Sequence, residues 1–415
     1  MARDERTEVL VAGAGPVGLF TALALRQKGV RTRVIDSGWR SAALSYALAL
    51  HPRSIELLDD LGVAGELAAQ GCRVDRVAFY EGEDRRAEFP LTRTGSRFPF
   101  LLVLPQNVFE ATLERALLSA GPGPEWCREL IGLTIGSDGA EATVAELSKA
   151  SGGYAVSRTE WTVERTFPIP AALIAGADGH RSAVRRALGI PFPEHAPPEH
   201  YAVFEFEADL DAPDEVRVAF APEGPSVLWP LPKGRCRFSF RLAPGSETLR
   251  EREKSRVAVP IAGGLYPELR REDLHDLVAA RAPWFCAEIG EVAWSLLVRF
   301  EHRIAERFGG GPAWLAGDAA HTTSPVGIRS MNAGLVEAAD LAARFEAVLR
   351  GRAGPGDLED SGARRLAEWR RLVGMEGDTT PPAGADAFVA SSFSRIIDCL
   401  PATGDHLRAL AGIDG

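Results

Sequence analysis

Three groupings of residues in the chain have the types and spacing to do chemistry. Gly13, Gly15 and Gly18 are followed by Asp36; further on stand Asp178-Gly179 and Gly317-Asp318. Glycines spaced G-x-G-x-x-G let a backbone turn tightly and approach a pyrophosphate, and an acid about twenty residues later can accept hydrogen bonds from a ribose. The chemistry implied is the binding of a dinucleotide. Either Asp-Gly or Gly-Asp pair alone would serve as well as a turn or a helix cap. Two of them behind a glycine fingerprint are hard to explain as caps.

The elements that must position these residues are legible around them. Residues 8–12 are apolar and β-prone, residues 19–27 repeat apolar side chains at helical spacing, and residues 31–35 read as a second strand ending at Asp36. In this strand–turn–helix–strand unit Gly13 permits the turn and Gly15 admits the phosphates. Gly18 lets the helix pack close to the strand. The helix N-terminus adds unpaired N–H groups and a partial positive charge. The run AALIAGA at 171–177 predicts a buried strand ending at Asp178, with a helix over 182–188, and WLAGDA predicts another strand ending at Gly317-Asp318. In an open α/β sheet ligands lie at the carboxyl ends of the strands, where these acids would converge.

Elsewhere the pattern predicts helices over 54–61, 106–118 and 331–349, and strands over 142–147 and 158–163 with SKASGGY as a turn between them. Residues 77–104 read as short β-prone pieces separated by charged turns, 201–241 as alternating antiparallel strands, 260–289 as helix and loop, and 291–300 as another strand. The expected fold class is α/β: a Rossmann-like binding domain with an inserted β-sheet substrate domain. Its boundaries are 1–76, 105–195 and 300–350 for the discontinuous first domain, 77–104 and 196–299 for the β-rich second, and 351–415 for a C-terminal helical tail.

With its three motifs in this order, the chain resembles the single-component FAD-dependent aromatic hydroxylases of the para-hydroxybenzoate hydroxylase type over roughly residues 7–350. The resemblance implies FAD, with its pyrophosphate at Gly13, Gly15, Pro16, Val17 and Gly18 and its adenosine ribose at Asp36. It also implies Gln106 against the flavin nucleotide, Asp178 and Gly179 in the groove used for cofactor and nicotinamide, and Gly317-Asp318 on the ribitol. Pro325, Gly327, Met331 and Asn332 would present backbone to the isoalloxazine, where a helix N-terminus stabilises negative charge on the reduced ring. Arg181 matches a family arginine that serves either the nicotinamide cofactor or an acid. The implied activity is a monooxygenase that takes hydride from NAD(P)H as co-substrate. It would form a C4a-hydroperoxyflavin and insert one oxygen into a phenolic or polycyclic, polyketide-like aromatic of secondary metabolism. Baeyer–Villiger or epoxidising enzymes on the same fold, and a flavin-binding protein without oxygenase activity, are the alternatives. A flavin halogenase is disfavoured, because no two tryptophans stand two apart and no lysine lies between Lys28 and Lys149.

The chain departs from that family at the ring end. Tyr46 stands where many relatives have arginine, and Gly327, Ile328, Arg329 and Ser330 stand where they have Gly-Gly-Gln-Gly. A β-branched residue at 328 replaces one that tolerates positive φ and fills space beside the expected flavin. His321, His51 and Arg53 read as packed structural residues rather than catalytic ones, and Trp229, Phe238, Phe240 and Trp294 as core, with a minority facing a substrate cavity. No catalytic acid, base or nucleophile is visible.

Length and composition bound the rest. The 415 residues suffice for two or three structural units, and 46% apolar with 25% charged residues is ordinary for a globular protein. A net charge of −10 argues against nucleic acid or anionic membrane as partner. The five cysteines are scattered, odd in number and never in a CxxC pair, so neither disulfides nor a metal site is expected. With no apolar signal region the expected location is cytoplasmic. The expected partner is a small aromatic molecule, with a homodimer as the candidate assembly.

Overall fold

A computed structural model describes residues 7–39, 49–136, 138–152, 158–245, 258–261, 264–267, 269–376 and 380–413. Tyr46 lies outside these residues. Two large sheets carry the architecture.

The first runs in the order Gly309–Gly310, Ala313–Leu315, Arg158–Gly176, Thr7–Ala12, Thr32–Asp36, Glu125–Trp126. Its central pairs are parallel, and the register aligns Ala12 with Gly176 and with Ile35, and Gly176 with Leu315. The three strands that precede the chemical motifs therefore end in one row. Helices Pro16–Gln27, Gln106–Ser119 and Arg329–Leu349 cover one face, burying Leu19, Leu23, Phe109, Leu113, Leu335 and Phe345 against Val9 and Val11. The opposite face packs Leu10, Ile35 and Ile174 against Ala142 and Val144 of an antiparallel extension and against Trp369.

That extension differs from the sequence expectation. Arg158–Gly176 is one strand, not two, and Gly139–Gly152 carries SKASG as strand where a turn was expected. The cross-strand pairs Lys149↔Trp161 and Gly152↔Arg158 extend the ladder over it; Gly153 and Tyr154 of the expected turn lie outside the described residues. Pro168 and Pro170 do not break the long strand because there it pairs on one side only; pairing to Thr7–Ala12 begins at Ala171. A proline without N–H is tolerated on such an edge.

The second sheet has the order His321–Thr322, Val292–Ile304, Glu194–Glu207, Arg235–Leu242, Gly224–Leu231, Glu215–Ala221, Arg76–Glu81, Asp84–Pro90. One face carries Tyr201, Val203, Trp229, Leu296 and Val298, packed with Val326, Ile328 and the helices Ala387–Cys399 and Gly404–Ala411. The other carries Phe204, Phe206, Phe238 and Phe240 against helix Arg271–Arg281 and Phe285. Before that helix, where helix and loop were expected, Ala258–Ile261 pairs with Gly264–Pro267 as antiparallel strands. A three-stranded sheet of Ala49–Leu50, Leu101–Val103 and Cys72–Val74 joins the two large sheets.

Candidate functional site

The fingerprint turn leaves the row of strand ends at Gly13. Its φ is +102°, and a Cβ there would lie 2.1 Å from the Ala177 carbonyl oxygen, so only glycine fits beside the neighbouring strand. Gly18 is equally confined, because its Cβ would fall 2.0 Å from the Gly13 oxygen. Gly15 is the opposite case: a Cβ built there meets nothing within 4 Å. The turn is thus tight where it touches protein and bare where a pyrophosphate would come. Pro16 is the first helical residue, where its missing N–H costs nothing, and the first-turn amides behind it have no helical acceptor.

Asp36 closes this turn from the second strand. Its Oδ2 accepts from the Ala14 N–H at 2.6 Å and its Oδ1 from the Gly38 N–H at 2.7 Å. Each oxygen keeps a second lone pair for a sugar hydroxyl.

The next turn is organised by Asp178, whose Oδ2 accepts from the amides of Ala183 (2.7 Å) and Val184 (3.1 Å) at the start of the helix Ala183–Ala187. Its Oδ1 is buried with no partner. Burial pushes its carboxyl above the usual range, against the opposing pull of those hydrogen bonds. A buried carboxylate oxygen left open at the strand ends is what a bound donor would satisfy. Gly179 follows with a φ of +75°, and Arg181 is exposed.

Gly317 and Asp318 form the third turn. A Cβ at Gly317 would sit 2.9 Å from Val17 Cγ2, and one at Gly334 would sit 2.8 Å from the Gly317 Cα. The fingerprint helix, this turn and the long helix Arg329–Leu349 therefore meet at one point. Glu337, on the long helix, fixes the arrangement: its Oε2 accepts from the Gly317 N–H at 2.9 Å and its Oε1 lies 2.7 Å from His321 Nε2. His321 is fully buried and stacked on Trp369 at 3.6 Å, which gives it the structural role expected from the sequence. Asp318 stays exposed and accepts from Ser330 Oγ at 2.5 Å.

Residues 325–332 connect this turn to the long helix. Asn332 is fully buried and saturated: its Oδ1 accepts from the His51 N–H (2.8 Å) and Ser54 Oγ (2.7 Å), and its Nδ2 donates to the Ala49 and Ile328 carbonyls. Nothing of its side chain is left for a ligand. His51 Nε2 lies 2.9 Å from the Gly327 carbonyl, and burial drives this histidine down to about 3, so it is neutral. Pro325 accepts from the Ile328 N–H, and Met331 is half-buried beside the fingerprint-side core. Gln106 opens its own helix and donates to Glu110 at 2.7 Å.

Ile328 overturns one expectation. It caps the long helix with φ +48° and ψ +44°, the left-handed region that a β-branched residue was expected to forfeit. The surrounding bonds hold it there, since Asn332 Nδ2 grips its carbonyl and its side chain is 7% exposed in an apolar cluster.

Sequence reasoning missed several side chains. Arg185 is buried over Phe192 and donates at 2.7 Å both to the His180 and to the Ala319 carbonyl, tying the second turn to the third. Its neighbours Arg181 and Arg186 gave no signal separating it from them. Tyr201, Glu199 and His302 form a polar group against the 323–324 segment. The Tyr201 hydroxyl lies 3.0 Å from Glu199 Oε2 and 3.1 Å from Ser324 Oγ, and His302 Nε2 lies 3.7 Å from Glu199 Oε2. Burial and Glu199 push the Tyr201 phenol well above its ordinary value. Burial would raise Glu199, but His302 and Arg241 beside it hold it low. The alternation in EHYAVFEF places Glu199 and Tyr201 on one face and could have found them. Phe238 and Phe240 lie on the far face, whereas Trp229 lies on the face toward residue 328.

Residues 6–375 match the family model described as FAD binding domain. The chain is 29% identical to 6-methylpretetramide 4-monooxygenase of Streptomyces rimosus, covering 98% of this chain and 69% of that protein. It is 30% identical to aklavinone 12-hydroxylase of Streptomyces peucetius, covering 88% and 73%. Among solved structures, p-nitrophenol 4-monooxygenase from Pseudomonas putida DLL-E4 superposes with a TM-score of 0.70 at 18% identity, covering 98% of this chain and 93% of the other. The chain spans about two thirds of the length of the curated relatives it matches.

Proposed function

The chain belongs to the FAD binding domain family of flavoprotein monooxygenases, and on that premise we propose that it is an FAD-dependent monooxygenase acting on a phenolic or polycyclic aromatic substrate. The observation that carries this is the meeting of three sequence-distant turns at the ends of one row of strands. There Gly15 is bare, Asp178 Oδ1 is buried without a partner, and Gly334 seats the long helix on Gly317. These residues fit the elongated cofactor: the fingerprint turn would hold the pyrophosphate, Asp36 the adenosine ribose, and Asp318 the ribitol. Gln106, Asp178 and Gly179 would flank the nucleotide, and the backbone of Pro325, Gly327, Met331 and Asn332 would face the ring. When bound, FAD supplies the redox chemistry, taking electrons from NAD(P)H and passing one atom of O2 to the substrate.

The chain's own part is to bind, orient and shield. The helix N-terminus at residue 329 offers a positive dipole end where the reduced ring carries charge. The second sheet, whose Tyr201 and Trp229 pack in one cluster with Val326 and Ile328, would shield the ring end from water. Tyr201, hydrogen-bonded between Ser324 and Glu199, ties the segment before residues 325–332 to the second sheet and so helps to orient it. Among the described residues no helix is long and apolar enough to cross a membrane, and all five cysteines are free thiols.

The test is direct. Purified protein should take up FAD and turn yellow, oxidise NADPH or NADH faster in the presence of a matching phenol or quinone, and yield a product carrying one labelled oxygen from O2. A protein that stays colourless with added FAD would end this reading. Binding of FAD without substrate-stimulated oxidation would leave a flavin protein that is not an oxygenase.

A further inference from the structure

Arg329 is an anomaly beside the ring end of the site. It occupies the first turn of the long helix, yet its guanidinium turns away from the three motif turns and into the protein. The side chain is buried, and its bonds go to main-chain carbonyls: Nη1 to Leu372 at 3.2 Å, and Nη2 to Ile397 and, at 3.4 Å, to Leu400. Leu372 ends the helix Pro355–Leu372, and Ile397 and Leu400 lie at the end of Ala387–Cys399. One cation thus bridges carbonyls at the negative dipole ends of both helices, adding to the bonds that the Ile397 and Leu400 oxygens accept from the Leu400 and Ala402 amides. Burial lowers the pKa of Arg329, with the nearby charge of Asp398 opposing.

The same end of the tail presses on the turn itself. A Cβ at Gly327 would come within 3.2 Å of the Leu400 oxygen. The Ile328 side chain shares an apolar cluster with Phe393, Ile396, Ile397, Leu400 and Leu407. A β-branched residue in the left-handed region persists only where its surroundings over-determine it, and here the tail is part of those surroundings, beside the second sheet and Asn332.

We propose that Arg329 is a positioning residue for the flavin ring: it clamps the ends of the two C-terminal helices onto residues 325–328 and so holds the backbone that faces the ring. The helices Pro355–Leu372 and Ala387–Cys399 then belong to the ring end of the cofactor site rather than to a detached appendage. The proposal rests on the assignment of residues 325–332 to the ring.

The experiment uses the full chain loaded with FAD. Arg329→Met keeps the apolar stem and removes the donors; Arg329→Lys keeps the charge but cannot reach three carbonyls. Hydrogen exchange of the amides in Ala387–Cys399 reports the clamp, and the visible absorption bands of bound flavin report the ring environment. For Arg329→Met we expect at least about tenfold faster exchange in that helix and a shifted flavin spectrum. FAD binding should weaken about tenfold, equivalent to roughly 1.4 kcal/mol, with Arg329→Lys intermediate in all three. Faster exchange with an unchanged spectrum overturns the clamp, as does a changed spectrum with the helix as protected as before. No change in either overturns it too. Should Arg329→Met fail to fold, Asp386→Ala loosens the same helix from its far end, where Asp386 Oδ1 accepts from the Val389 N–H at 2.9 Å. The same paired response, smaller in size, is then required. Parent protein that takes up no FAD overturns the functional reading and the clamp together, which separates that failure from failure of the clamp alone.

Discussion

Replacing Asn332 by alanine removes a side chain with four protein hydrogen bonds and no exposed surface. The His51 N–H and the Ser54 hydroxyl lose an acceptor, and the Ala49 and Ile328 carbonyls lose a donor. At a net contribution of about 1 kcal/mol per bond the loss is roughly 4 kcal/mol, and somewhat less where a helical amide still serves Ile328. Unfolding entropy of about 2 cal/mol/K per residue makes 1 kcal/mol worth about 1 °C for a chain of 415 residues. Asn332→Ala should therefore melt about 3–5 °C below the parent in calorimetry. Asn332→Asp is the sharper probe. Its carboxylate would face two carbonyls in a buried site, so its folded pKa must lie above the unfolded value of about 3.9. A raised folded pKa means stability that is present below the unfolded value and is lost as pH rises through the folded one. The Asp variant should come closest to the parent in acid and fall away toward neutrality. If Asn332→Ala melts within about 1 °C of the parent, or if the Asp variant shows no pH dependence beyond the parent's, the residue is not the staple described.

Three further outcomes follow from the same geometry. Gly15→Ala should melt like the parent, because its Cβ meets nothing, yet bind FAD at least about tenfold more weakly by titration, a barrier of about 1.4 kcal/mol at the pyrophosphate; Gly13→Ala should instead fold poorly, with a Cβ 2.1 Å from a carbonyl oxygen. His51 has a folded pKa depressed to about 3 against an unfolded value of about 6.5, so its contribution is present above 6.5 and is lost as pH falls toward 3. Denaturant midpoints of His51→Asn should accordingly drop less between pH 7 and pH 4 than those of the parent. Glu337→Ala leaves the Gly317 amide and the His321 ring without their acceptor; it should lower stability by roughly 2–4 kcal/mol and loosen FAD more than Asp36→Asn does, and equal FAD affinities in the two variants would refute that ranking.

Much of this arrangement can be read in the chain itself. The glycine fingerprint and AGADG each follow a strand and precede a helix, AGDAA follows a strand, and local rules suffice for such units because their parts are consecutive. What could not be read are contacts between segments far apart in sequence. Nothing local distinguishes Arg185 from Arg186, yet only one bridges two motif turns. SKASG looks like a turn because serine, glycine and alanine are poor strand formers, and the ladder to 158–162 overrides that weak preference. The left-handed Ile328 is the clearest case. Residue type forbids it locally, and the reason it is tolerated lies in the Asn332 amide on its carbonyl and in apolar side chains of the second sheet and the tail, far away in sequence.

The row in which Ala12, Ile35, Gly176 and Leu315 end also sets an order of events. A chain emerging from the ribosome carries the fingerprint turn almost at once, but the neighbours that complete its surroundings, Gly317, Gly334 and Glu337, arrive some three hundred residues later. Closing loops of that span is slow, and until it happens the edge of the parallel sheet at Arg158–Gly176 lacks its Ala313–Leu315 partner. Cofactor capture must therefore be a late step of maturation, and the interval before it is when the chain is most exposed to aggregation. Flavin supplied during expression would raise soluble yield by trapping chains that have already closed the row, not by hastening its closure.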